Sequence, residues 1–242
     1  MPFSKSLSIC LFLLASRAAH AEYQWGFANV SFNRLNWTQE TKDKSTKLDF
    51  NYLEVEGGSQ YSWGELYGFY DIENFDKDGD EMRTAAKGSI RYYLGETGFS
   101  LYAHVYNFTS LGFAEQNRVV GFGYQWTGPS GWWFKPFLGF HDVSQTFFSG
   151  PNGFMGGWVL GIPFKIADQR FLLSDWHEYE FARKDAYAAG NGGKNTSHNG
   201  AVGLWWTPLE AATFGIQWRY ANDKLGTEGT MGASIFTAKY NF

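Results

Sequence analysis

Between Asn51 and Tyr93, ionisable and aromatic side chains recur at every second position. Tyr52, Glu54 and Glu56 alternate with Leu53 and Val55. Glu65, Tyr67, Phe69 and Asp71 alternate with Leu66, Gly68 and Tyr70. Lys87, Ser89, Arg91 and Tyr93 alternate with Gly88, Ile90 and Tyr92. A period of two puts successive side chains on opposite faces of an extended strand, so each run has one polar face and one more apolar face. Acids on the first two segments and bases on the third could pair across an enclosed space, narrowing it and giving it a transverse field. Rings on the same face offer flat surfaces beside hydrogen-bonding groups, a combination suited to an aromatic or planar-ring solute. The same side chains could equally satisfy only one another and fill the space.

The pattern continues downstream. Ser100, Tyr102, His104 and Tyr106 oppose Phe99, Leu101, Ala103 and Val105. Thr213, Gly215, Gln217 and Arg219 oppose Phe214, Ile216, Trp218 and Tyr220. Thr237, Lys239 and Asn241 oppose Phe236, Ala238, Tyr240 and Phe242. The expected lining of the polar face is therefore Tyr52, Glu54, Glu56, Glu65, Tyr67, Phe69, Asp71, Lys87, Arg91, Tyr93, His104, Tyr106, Arg219 and Lys239.

Other chemistry is thinly represented. Cys10 is the only cysteine, and it lies in the N-terminal apolar run, so disulfide, thiol and thiolate–metal chemistry are excluded from the rest of the chain. Ser197-His198-Asn199 are neighbours in an extended segment and cannot assemble as a nucleophile–base pair; no catalytic residue and no cofactor are assigned. Asp76-Lys77-Asp78-Gly79-Asp80-Glu81 resembles part of a calcium loop, but its glycine comes too early and Lys87 stands where a bidentate glutamate is needed. It reads as an exposed acidic loop, and no metal site is assigned.

The elements that must position these faces follow from composition. Aromatics make up 20% of the chain and mean hydropathy is −0.35. Beyond the first 21 residues no apolar run reaches the ~18 positions a transmembrane helix needs. Residues 1–21 read as a signal peptide: a basic start at Lys5, the apolar run Leu7–Ala15, and an Ala19-His20-Ala21 cleavage site that would leave Glu22 first. Loss of Lys5 and Arg17 would take the formal charge from −4 to −6, which does not suit nucleic-acid binding.

Residues 22–242 divide into about twelve alternating segments, each close to the ten residues of a tilted transmembrane strand. The links after alternate segments read as long and polar, as at 36–46, 75–83 and 183–199. Those between are short, as at 95–98, 127–131 and 165–169. This arrangement predicts one all-β domain, an antiparallel up-and-down transmembrane β-barrel with short periplasmic turns and longer extracellular loops. A charge on such a wall must avoid lipid, which puts the polar faces in the lumen. The chain ends on Phe242, an aromatic suited to the interfacial girdle and to delivery by the barrel-assembly machinery. Outer-membrane lipid and lipopolysaccharide are the expected surroundings.

The block Asn51–Asp71, NYLEVEGGSQYSWGELYGFYD, and the ending Lys239-Tyr240-Asn241-Phe242 resemble the Tsx-like family, which includes nucleoside-specific channel-forming proteins and OmpK-type phage receptors. The resemblance implies a twelve-stranded monomeric barrel with a narrow, ligand-selective lumen, and nucleosides as the solute. The resulting expectation is passive, substrate-selective diffusion of small polar solutes without catalysis. A surface-binding or adhesion protein of the phage-receptor kind, with a largely plugged lumen, is the alternative; a barrel-embedded lipid hydrolase is a third reading.

Overall fold

The computed structural model describes residues 21–242; apart from Ala21, the expected leader lies outside the described residues. Twelve long strands and one two-residue strand are present: β1 (Tyr23–Trp37), β2 (Phe50–Tyr61), β3 (Gly64–Glu73), β4 (Arg83–Tyr93), β5 (Phe99–Ser110), β6 (Phe113–Tyr124), β7 (Trp126–Thr127), β8 (Trp133–Gln145), β9 (Phe148–Ile166), β10 (Gln169–Phe181), β11 (Ser197–Leu209), β12 (Ala212–Lys224) and β13 (Thr227–Asn241). Each long strand pairs antiparallel with its neighbours in sequence. β6 pairs with β8, and β1 with β13. The ring of twelve long strands is thus closed, with no free edge to pair with another chain.

The outer wall carries the apolar halves of the alternating pattern. Val120 and Phe140 are 63% and 71% exposed, and Leu101, Leu138, Ile216 and Phe236 are also exposed. In a closed barrel this band meets the hydrocarbon of a bilayer. The opposite parity points inward. Some of it forms two apolar clusters, one of Leu35, Trp37, Phe50, Tyr52, Ala221, Met231, Ala233 and Ile235, the other of Tyr102, Val119, Phe137 and Met155. These clusters line parts of the lumen wall, so the interior is partly filled by side chains.

The end opposite the chain termini carries the long connections: residues 38–49 with a short helix α1 (Gln39–Asp43), residues 74–82, and residues 182–196 with a short helix α2 (Asp185–Ala189). By the rule of barrel topology this is the extracellular end. The strict alternation of long and short links, however, does not hold. Residues 111–112, 146–147 and 225–226, where the sequence suggested longer loops, are two-residue turns at this same end. The paired strands simply continue beyond the apolar band as polar hairpins. Leu225 and Gly226 have φ of 58° and 73°, the left-handed pair of a type I′ turn, which matches the strand twist and lets pairing run to the tip.

Candidate functional site

Each lining residue expected from alternation has the inward parity, and its partners define layers along the barrel. Near the periplasmic end, Glu65 of β3 contacts Lys135 of β8 and lies 3.8 Å from Arg91 Nε of β4. Arg91 is only 5% exposed. Its guanidinium donates to the carbonyl oxygens of Lys135 (3.0 Å) and Pro136 (3.2 Å) and sits 4.6 Å from the centre of the Tyr102 ring. Tyr93 Oη donates to Gln125 at 2.9 Å.

Two further ion pairs lie deeper. Lys239 Nζ donates to Glu56 Oε2 at 2.7 Å; the same carboxylate accepts from Tyr67 Oη (2.8 Å) and Asn29 Nδ2 (3.1 Å). Glu54 receives Ser31 Oγ at 3.5 Å and stands in register with Asp71 of β3. Lys87 of β4 reaches Glu178 of β10 at 2.5 Å. β4 and β10 stand five places apart in the ring of twelve long strands, nearly opposite. A circular barrel of twelve tilted strands would separate opposite backbones by about 24 Å. A lysine and a glutamate joined end to end span at most about 14 Å. The direct pair therefore requires a cross-section flattened between β4 and β10, with the pair as a strut across it.

This corrects the expected pairing. Bases on β4 do not simply answer acids on β2 and β3: Lys87 takes its partner from β10, and Glu56 takes its partner from β13. The sequence reading missed Lys135, Glu178, Glu180 and Lys224. Alternation of Trp176, Glu178 and Glu180 in β10 was a usable signal, since their neighbours Asp175, His177 and Tyr179 have the opposite parity.

Aromatic rings share the lumen with these charges. Arg219 donates to the Gly200 carbonyl oxygen at 3.1 Å and lies 4.7 Å from the Trp176 ring; Lys239 lies 4.4 Å from the Trp205 ring. Tyr67 and Phe69 meet edge to face at 6.5 Å. Tyr102 Oη is 2.9 Å from His104 Nδ1, and its ring lies 4.5 Å from that of Phe137. Tyr106, on the same strand as His104, is half-buried. At the extracellular end, the acids Asp76, Asp78, Asp80 and Glu81 are exposed, and Asp76 accepts from Asn51 Nδ2 at 2.7 Å.

A wall apolar outside and lined within by opposed charges and rings suits a polar passage across a bilayer. Residues 32–242 match the family described as nucleoside-specific channel-forming protein, Tsx. Among solved structures, the outer membrane channel DcaP of Acinetobacter baumannii is similar at 10% identity, with 92% of this chain and 97% of that chain covered and a TM-score of 0.40. The β-domain of the Bordetella autotransporter BrkA is similar at 13% identity, covering 92% and 99%, with a TM-score of 0.37. The chain thus belongs to the Tsx family of channel-forming proteins and is a β-barrel channel of the bacterial outer membrane.

Proposed function

We propose that this channel passes nucleosides down their gradient, without catalysis, by stacking the base on lumen rings and hydrogen-bonding the sugar and base edges to the charged wall. The observation that carries the reading is the pairing of inward rings with cations, Arg219 on Trp176 and Lys239 on Trp205, beside Glu54, Glu56 and Asp71. Stacking contributes roughly 1–3 kcal/mol per base and each hydrogen bond about 1 kcal/mol. A dissociation constant near 1 mM needs about −4 kcal/mol, so one ring and a few partners suffice. Weak binding also suits transport, because a tightly held solute does not leave.

The family description supports this substrate. In the same proposal the mature protein begins at Glu22, residues 22–242 form a single monomeric barrel, and Phe242 engages the assembly machinery. One observation favours the alternative of a plugged, surface-binding barrel: the Lys87–Glu178 strut crosses the lumen. Single-channel recording in planar bilayers separates the two. Adenosine and thymidine should block the ion current in a concentration-dependent way, and Tyr67→Ala or Phe69→Ala should weaken the block while the pore stays open. A current indifferent to both nucleosides leaves a general small-solute channel; no current at all favours the plugged barrel.

A further inference from the structure

We infer that residues 182–196 form a fixed constriction over the extracellular mouth, with Tyr187 as the anchor that holds the loop inward and so limits the size of entering solutes. The inference rests on the channel reading but not on nucleosides as the solute.

The segment has a buried underside and an exposed top. Arg183, Tyr187, Ala188 and Asn191 are buried, whereas Lys184, Asp185, Ala186, Ala189, Lys194 and Asn195 are exposed. Tyr187 is 0% exposed although it sits in a loop. Its hydroxyl donates to Glu115 Oε2 of β6 at 3.5 Å, and its ring meets those of His141 of β8 (6.4 Å) and Phe148 of β9 (5.6 Å). β6 stands three places round the ring from β10, the strand that leads into the loop. With strands about 4.8 Å apart, a loop keeping to its own rim would not reach it. The chain leans inward over the lumen, and the tyrosine packs against side chains of β6, β8 and β9.

The loop is also held there. The Arg183 guanidinium donates to the carbonyl oxygens of Asn191 (2.8 Å), Asp223 (2.9 Å) and Thr196 (3.3 Å), and its Nε lies 3.1 Å from Glu180 Oε2. Lys224 contacts the other oxygen of that carboxylate. The Lys184 amide donates to Asn152 Oδ1 at 3.0 Å, and Asn191 Nδ2 donates to Gln145 Oε1 at 3.4 Å. Gly192, at φ 92°, lies so close to β12 that a Cβ there would come within 2.6 Å of the Asp223 backbone. Anchors on β8, β9, β10 and β12 tie the segment across a third of the rim. Arg183 and Tyr187 are both positioning residues, since each acts through the loop it holds.

Polymer exclusion tests this on the unaltered protein. Polyethylene glycols of graded size, added to one side of a bilayer, should enter from the periplasmic side at masses still excluded from the extracellular side. Tyr187→Ala, which frees the loop, should raise salt conductance and shift the extracellular cut-off to larger polymers. Tyr187→Phe should leave both unchanged. A wild-type channel that is silent but opens in Tyr187→Ala also supports the constriction. Equal exclusion from the two sides overturns it, as does unchanged conductance in a folded Tyr187→Ala barrel. Nucleoside block that persists in either of those cases leaves the substrate reading standing; a conductance rise without any nucleoside block leaves only the constriction.

Discussion

Lys87→Met removes the cation from a pair that ties β4 to β10 across the lumen, and Glu178→Gln removes its anion. The distance is 2.5 Å and the side chains are 18% and 14% exposed. Losing one partner of a buried pair costs about 3–5 kcal/mol. Partial access to lumen water puts each single variant at the lower end, about 3 kcal/mol. The double variant Lys87→Met/Glu178→Gln leaves no unpaired charge, so it should cost less than the sum of the two, with a coupling of about 2 kcal/mol. Chemical denaturation of the barrel in detergent micelles, followed by the fluorescence of its eleven tryptophans, measures the cycle. The same variants have opposite electrical signatures. Lys87→Met leaves a lone carboxylate in the narrow section and should shift the reversal potential toward cation selectivity; Glu178→Gln leaves a lone ammonium and should shift it toward anion selectivity. Shifts of the same sign, or a coupling below about 0.5 kcal/mol, would refute both the strut and the flattened section inferred from it.

Three further outcomes are expected. Deletion of Phe242, or Phe242→Asp, should lower the yield of heat-modifiable, folded barrel on gels, since this residue is 80% exposed at the outer rim and its amide donates to the Ala28 carbonyl oxygen at 3.0 Å across the closing seam; normal yield would show that closure does not depend on it. Arg91→Leu should destabilise the barrel by about 2–3 kcal/mol, because it leaves two buried carbonyl groups without their donor and Glu65 with Lys135 alone, whereas Glu54→Gln should shift ion selectivity at little cost in stability; denaturation midpoints and reversal potentials check the pair. Lys47, in the loop ahead of β2, has its pKa lowered to about 8 by burial, with Arg83 and Arg219 adding to the effect. A lysine whose folded pKa lies below its unfolded value of about 10.4 binds fewer protons when folded, so its contribution to stability rises between pH 8 and 10.4. The thermal midpoint of wild type should gain on that of Lys47→Met across this window, and parallel pH profiles would rule the effect out.

Much of the wall was legible from alternation. The clean period of two in Phe99–Tyr106 and Thr213–Ala221 assigned faces that the register preserves, because a one-residue slip would carry every apolar side chain into the lumen. The hairpin tips were not legible. Beyond the apolar band both faces of a strand meet water, so Thr109, Glu115 and Gln116 read as loop although they are paired strand residues. The buried loop residues Arg183 and Tyr187 were equally silent, since nothing local distinguishes a loop that folds inward from one that stands in solvent.

By itself, then, the sequence determined which side chains face lipid and which face the lumen, since that follows from the pleat of a single strand. Only the tertiary structure decided which inward groups meet. Lys87 and Glu178 lie 91 positions apart in the chain, and Glu56 and Lys239 lie 183 apart. Their encounter depends on the closing of β1 on β13, the stagger of the strands and the flattening of the barrel. Those are properties of the whole ring, and no stretch of one strand encodes them.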